Sequence, residues 1–459
     1  MSEVKNTGGN PLGIAPVKSL MLKFAIPSII AMLVGALYNI VDQLFIGNYV
    51  GSNGNAATNI AFPLTTACLS ISLLFGIGGA SCFNLNMGKG EKEKAPYFIG
   101  NSAFMLFFSG VVLSIIAELF LDDFLIFFGS PAEVLPYATE YVRVTAIGFP
   151  FLMLTTGGGH LIRADGSPKM TMVTSMTGAI INTALDAVFV IGFKWGMFGA
   201  ALATIIGQII SAIIVIVYLA NFKTVPLIFK HFKVRFSCIA QTAAIGMGSF
   251  INQIAMMFVQ IILNNSLKYY GARSVYGEAI PIAVAGIVIK VAMLFFAVVI
   301  GIAQGSQPIE SFNYGAKNYK RVREAYKDAL IASGVISVIG FALFQFFPRN
   351  IIALFGDGSE EYFEFGVSYF KIYLFFICLN FLQPVTATFF TSIGKAFKGA
   401  FLSLTRQVLF LIPLILILPR FMGIDGILYS GPISDAMAII ATVIMAYFEF
   451  RGMKKLEKG

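Results

Sequence analysis

Residues 43–88 read QLFIGNYVGSNGNAATNIAFPLTTACLSISLLFGIGGASCFNLNMG, a run of 46 without Asp, Glu, Lys or Arg. About 20 apolar residues are enough for one helix to cross the hydrocarbon layer, so this run is too long for a single crossing. It contains Gly47, Asn48, Gly51, Asn53, Gly54 and Asn55, residues that favour turns. The run is therefore read as the end of a first spanning helix, a turn over Gly47 to Asn55, and a second spanning helix.

Outward from it, charge-free stretches recur at Phe24 to Val41, Ala95 to Ala117, Val144 to Ile162, Met170 to Leu185, Trp195 to Phe222, Phe236 to Leu267, Val291 to Ile309, Ala329 to Pro348 and Ile372 to Gly394. Two more carry a single charge each, Arg406 within Gly399 to Pro419 and Asp435 within Gly426 to Phe448, and Lys290 interrupts helix 8. The expectation is an all-α polytopic membrane protein of twelve transmembrane helices. Composition agrees: 57% of the 459 residues are hydrophobic and 12% charged, half the ~25% of an average soluble chain. A water-soluble protein is excluded.

With loops assigned alternately, one side carries 23 of the 32 Lys and Arg, in the N-terminus, Lys89 to Lys94, Arg163 to Lys169, Lys223 to Arg235, Lys317 to Lys327, Lys395 to Lys398 and the C-terminus. The other side carries five. Basic loops stay inside, so both termini are expected in the cytoplasm of a multi-pass cell-membrane protein. The net charge of +9 then belongs to membrane topology rather than to nucleic-acid binding. No signal-peptide pattern is read at Met1 to Lys18. Cys68, Cys82, Cys238 and Cys378 show no CxxC spacing and read as small packing residues.

The chain repeats itself. Shifted by 227, Gly88 falls on Gly315, Gly129 on Gly356, Gly196 on Gly423 and Gly199 on Gly426; shifted by 228, Tyr141 falls on Tyr369 and Gly166 on Gly394. Two six-helix bundles follow, over residues 1–222 and 238–459, with a cytoplasmic connector at 223–237. Because six is even, both halves enter from the same side and are related by a pseudo-two-fold axis along the membrane normal.

An acid at membrane depth costs at least about 2.5 kcal/mol on insertion scales and marks a functional site by default. Asp42 near the outer end of helix 1, Asp186 in helix 5 and Thr204 in helix 6 are each expected roughly 10 Å below the outer surface. Asn182 precedes Asp186 by four residues and Thr204 precedes Gln208 by four, so each pair shares a helix face, and Asn39 lies three before Asp42. These are hard oxygen ligands for Na⁺, or a pair of acids one of which carries a proton. Lys290, Arg406 and Asp435 are expected either to neutralise one another or to take part in transport. His160 reads as a turn residue, and Gly157-Gly158-Gly159 as helix packing or a flexible helix end. Met153 and Met176, with Met32, Met172, Met256, Met257 and Met293, are candidates to line an adaptable cavity, although packing is the commoner role of a methionine in an apolar helix.

Four segments together resemble the multidrug and toxic compound extrusion (MATE) transporters: Asn39-Ile40-Val41-Asp42-Gln43-Leu44-Phe45-Ile46-Gly47, Arg163-Ala164-Asp165-Gly166-Ser167-Pro168-Lys169, Asn182 to Asp186, and Gly199-Ala200-Ala201-Leu202-Ala203-Thr204. The likeness covers Pro11 to Arg451. It implies a V-shaped pair of bundles and export of cationic or amphiphilic compounds by antiport with Na⁺ or H⁺, the coupling ion taking the place of a cofactor. It further implies a coupling-ion site of Asp42, Asn182, Asp186 and Thr204 with the carbonyl of Ala200, and Tyr38, Asn39, Tyr141, Met153, Met176 and Asn182 towards the substrate. A lipid-embedded monomer is expected. Some branches of the family carry acids in helices 7 and 10, and none occurs here between Phe236 and Leu267 or between Ile372 and Gly394. The alternatives are a lipid-linked oligosaccharide flippase of the same superfamily, a membrane enzyme and a channel. A flippase is expected to line its cavity with Arg or Lys, and no span core of the first half has one. Two histidines, His160 and His231, on separate segments offer an enzyme no metal or triad spacing. Buried acids argue against a passive pore.

Overall fold

The computed structural model describes residues 9–355 and 358–457. Gly356, paired with Gly129 in the repeat, lies outside them. Among the described residues there is no strand. Ten continuous helices among these residues are long and apolar enough to cross a membrane, and an eleventh bends by 43° between Glu360–Tyr373 and Ile377–Ser392. The remaining crossing is broken at Gly148 into Leu135–Ile147 and Phe149–Ala164. Pro150 lacks the N–H that would continue the backbone ladder across that break.

In chain order the crossings are α1 (Val17–Tyr49), α2 (Ser52–Lys89), α3 (Ala95–Leu119), α4 (the broken pair), α5 (Pro168–Asp186, continued by a π-turn over Ala187–Gly192) and α6 (Gly196–Ala220). The second half repeats them as α7 (Phe236–Gly271), α8 (Ala279–Gly315), α9 (Tyr319–Phe346), α10 (the bent pair, from Glu360 to Ser392), α11 (Ala396–Leu404, a π-turn over Thr405–Leu411, then Ile412–Ile417) and α12 (Ile424–Leu456). The turn expected over Gly47 to Asn55 is much shorter. Helix α1 runs to Tyr49, α2 starts at Ser52, and Gly51 takes φ +96°, a conformation open to glycine alone at this tight corner.

The repeat reappears as geometry. Gly166 and Gly394 both sit at positive φ, +81° and +77°, and so do Gly196 and Gly423, at +56° and +62°. The two halves meet through equivalent contacts. Gly88 of α2 packs on the Phe312 carbonyl of α8, while Gly315 of α8 packs on the Leu85 carbonyl of α2. Leu85 and Phe312 are themselves 227 apart, so each half presents the same patch to the other, the signature of a two-fold relation. Gly78 against Thr242 and Gly305 against Ala25 extend the pattern to α2 with α7 and α8 with α1. A side chain at any of these glycines would strike backbone.

All of these cross-half approaches lie toward the end that carries the basic loops. Polar bonds reinforce them: Gln307 donates to Ser81 Oγ at 2.9 Å, Arg163 to Gln304 Oε1 at 2.6 Å, and Arg321 to the carbonyls of Leu12, at 3.1 Å, and Ala15, at 2.5 Å. Arg163, counted as a loop residue from sequence, is buried at this seal within α4. His160 is likewise in the helix and buried, not in a turn. Gly157 and Gly158 pack on Leu106 and Val215, which bears out the packing role of the triple glycine. The connector is strapped to the first half. Asp165 accepts the backbone N–H groups of Lys223 and Thr224 at 2.8 and 2.7 Å, and Arg235 lies over the Tyr97 ring at 3.4 Å.

Candidate functional site

Three helices bring the candidate acids together at the end of the first half opposite the seal. From Asp42 to the end of α1 at Tyr49 is seven residues, and Thr204 lies eight residues into α6, so both are ~10–12 Å from their helix ends at 1.5 Å per residue. Asp186 is the last residue of α5 before the π-turn. Such a turn inserts one residue into the helical ladder, and π-turns are frequent at functional sites.

Asp42, Asn182, Asp186 and Thr204 are all buried, and the two carboxyls face one another. Asn182 Nδ2 donates to Thr204 Oγ1 at 3.2 Å. That bond leaves the amide oxygen free, and Asn182 Oδ1, Asp42 Oδ1 and both oxygens of Asp186 are buried without a hydrogen-bond donor. Four buried acceptor oxygens in this cluster therefore receive no hydrogen bond from the protein. Among the described residues no Lys or Arg makes an ion pair with either acid. Buried acceptors left this way are costly, about 1–3 kcal/mol each and more when charged, and a cation or proton satisfies them. Ala200, one turn before Thr204, is fully buried.

Around the acids, Tyr38 reaches Thr204 and lies beside both carboxyls, and Tyr141 lies next to Tyr38. Both rings are half-buried, as is Met176. Two of the residues assigned toward the substrate stand apart. Asn39 is exposed and gives its amide to its own helix, to the Gly35 carbonyl at 2.9 Å. Met153 is fully buried in the bundle core and opens to no surface in this conformation. A groove of about 550 Å³ between α4 and α6, lined by Asp122, Leu135, Thr139, Glu140, Arg143 and Phe198, does not include the acids.

In the second half Arg406 of α11 bonds Asp435 of α12 at 2.5 Å, both largely buried. Two of the three charges expected to cancel do so, and Lys290 stands outside the pair. Two buried acids lie just past the ends of apolar stretches, Glu449, which pairs with Lys395 and Lys398, and Glu310, which has no such partner. Glu310 ended the charge-free stretch Val291 to Ile309 and so looked like a span boundary, but α8 continues to Gly315 and buries it completely. The density of polar residues just there (Gln304, Ser306, Gln307, Ser311 and Asn313, all buried) was the available signal.

Known proteins place the chain. The MatE family model matches residues 27–188 and 249–417, one copy in each half. The multidrug export protein MepA of Staphylococcus aureus strain MSSA476 is 24% identical over 434 residues, 94% of both chains. MepA of Staphylococcus haemolyticus is 22% identical over 428 residues, 93% of this chain and 92% of its own. Among solved structures, a multidrug resistance MATE family transporter in an outward-facing conformation superposes with TM-score 0.90 at 22% identity, covering 98% of this chain and 99% of that one. A MOP superfamily transporter from Pyrococcus furiosus, described as having a binding pocket of reversed polarity, gives 0.89 at 21% identity over 98% and 99%. The chain is a multi-pass membrane transporter rather than an enzyme, and it belongs to the MatE family of efflux transporters.

Proposed function

We propose that the protein exports cationic or amphiphilic compounds by antiport, with Na⁺ or H⁺ entering at the acid pair of the first half as cargo leaves. The observation that carries this reading is the set of four donorless acceptor oxygens on Asp42, Asn182 and Asp186. Such a site has affinity for a positive species and holds none of the protein's own. The export of small molecules is supported by the matching relatives, each named a multidrug export protein. On this reading Thr204 and the Ala200 carbonyl complete the ion's oxygen shell, Tyr38, Tyr141 and Met176 face cargo, and the chain acts as a lipid-embedded monomer. Residues 1–222 and 238–459 move against each other about the connector 223–237.

On this reading the excess of basic residues orients the sealed end and both termini to the cytoplasm, and the end that holds the acid pair faces outward. Asp42→Asn and Asp186→Asn test the site. Export of a fluorescent cation from loaded vesicles, at matched membrane expression, should fall to background in both variants while the protein remains folded. Wild-type export in either variant removes that acid from the coupling site.

A further inference from the structure

We propose that Glu310 of α8 is a second proton-binding site, in the half of the molecule that lacks the acid pair, and that it holds its proton while the basic-loop end is sealed. The argument starts from the six buried acids. Asp165 receives Tyr218 and two backbone N–H groups, Asp435 is bonded to Arg406, and Glu449 to Lys395 and Lys398. Asp42 and Asp186 have each other. Glu310 has no partner: it is 0% exposed, and both its carboxyl oxygens are buried without a donor.

The oxygens around it have already committed their hydrogens. The hydroxyls of Ser306, one turn earlier on α8, and of Ser392, at the end of α10, lie beside the carboxyl, yet Ser306 donates to the Ala303 carbonyl at 2.9 Å and Ser392 to the Thr388 carbonyl at 2.8 Å. Ser311 donates to the Ser392 carbonyl at 2.7 Å. Tyr326 of α9 faces the site, but its hydroxyl is 2.7 Å from Thr386 Oγ1, and Thr386 spends its own hydrogen on the Leu382 carbonyl at 2.6 Å. Tyr326 must therefore be the donor in that pair. With the Ser306 and Ser392 hydroxyls bonded to these carbonyls, Glu310 is left facing the hydroxyl oxygens and receives no hydrogen bond. An ionised carboxylate here would be a buried, unbalanced charge, several kcal/mol unfavourable, whereas a protonated one donates to the hydroxyl oxygen of Ser306 or Ser392.

The charged groups of the helices packed on α8 point elsewhere. Arg163 of α4 donates to Gln304, Arg321 of α9 to Asn313, Leu12 and Ala15, and Lys18 and Lys23 of α1, Lys89 of α2 and Lys327 of α9 are exposed. Glu310 is also flanked on its own helix by the two seal glycines, Gly305 against α1 and Gly315 against α2. When that end opens, water reaches the carboxyl, which can then release its proton to that water and remain as the carboxylate. The inference is independent of how the acid pair of the first half is used.

Infrared spectra of the purified full-length protein in lipid, read in the carbonyl-stretch region of protonated carboxyls at neutral pH, test the proposal directly. One protonated-acid component should vanish in Glu310→Gln, move in frequency in Glu310→Asp, and stay unchanged when choline is exchanged for Na⁺. Glu310→Asp keeps the test open if Glu310→Gln fails to fold. Wedging the seal with Gly315→Leu should remove the same component. A spectrum indifferent to both Glu310 substitutions overturns the proposal, as does a component that Na⁺ abolishes, which would make the site one for a metal cation. A component that survives the wedge overturns the link to opening.

Discussion

Helices α5 and α6 of the first half and α11 and α12 of the second are built on the same plan and buried to opposite ends. Each pair contains a π-turn, Ala187–Gly192 in α5 and Thr405–Leu411 in α11. At the 227 shift, Asp435 of α12 falls on Gln208 of α6. The second half fills its pair with a matched base and acid, Arg406 and Asp435. The first half brings two acids together and supplies no base. Burying an ion pair is a structural solution, since the charges cancel and nothing need enter. Burying two acids leaves charge that no basic residue of the protein cancels, which is why the pair is proposed as the ion site. One scaffold, repeated, therefore yields one helix pair whose buried charges cancel and one whose buried charges do not.

The comparison can be broken most forcefully at the ion pair. Asp435→Ala strands the Arg406 guanidinium, and a buried pair broken in this way typically destabilises by ~3–5 kcal/mol. A large drop in thermal unfolding temperature in lipid nanodiscs is expected. The joint change Arg406→Met with Asp435→Leu should recover most of it. If the joint variant exports normally, the pair is structural as argued; if it is stable but inactive, the second half takes part in transport chemistry.

A smaller effect is expected at the seal. Gly88→Ala forces a methyl against the Phe312 carbonyl, and overpacking of this kind costs typically ~1–3 kcal/mol. Because the glycines join the halves rather than building either one, the loss should fall on the sealed state. Cysteines placed at the seal should become more reactive while each bundle keeps its helicity. Equal reactivity with and without the methyl would mean that this contact does not hold the halves together.

Sidedness is sharpened by labelling. In a background without Cys68, Cys82, Cys238 and Cys378, an impermeant thiol reagent on intact cells should modify Gly358→Cys and spare Ser237→Cys. The reverse pattern inverts the topology, and the end that holds the acid pair would then face the cytoplasm.

How much of this was legible in the chain depends on the range over which each signal acts. Asp42 and Asp186 stood out because a carboxylate inside an apolar span is costly and no basic residue lies in the spans of that half to pair with it, and Asn182 and Thr204 followed from helical spacing. The repeat was visible because glycines at positive φ and at backbone contacts tolerate no substitute, as Gly166 with Gly394 and Gly88 with Gly315 show. Other features were not local. Asn39 has the right spacing from Asp42, but the Gly35 carbonyl claims its amide. Met153 looked like a cavity residue until packing enclosed it. Glu310 read as the edge of a span because residues that enclose it, Tyr326 of α9 and Ser392 of α10 among them, are distant in the chain. Thr204→Ala bears on the smallest of the expected effects: removing one oxygen should weaken the dependence of export on Na⁺ and leave a proton-only exchange nearly unchanged.

The claim that the first-half acids are balanced by whichever cation is present is tested most directly by competition. Cationic drug binding to the purified protein would be titrated across Na⁺ at fixed ionic strength and across pH from about 5 to 8. Cargo and coupling ion are drawn by the same two negative charges, so either one, once bound, lowers the attraction for the other, and at equilibrium the coupling is reciprocal. Drug affinity should fall by about 5- to 150-fold, the range of typical coupling energies, along the axis of the true coupling ion, and Asp186→Asn should flatten it. Drug affinity that stays constant along both axes in the wild-type protein would contradict the account and leave Asp42 and Asp186 as structural residues.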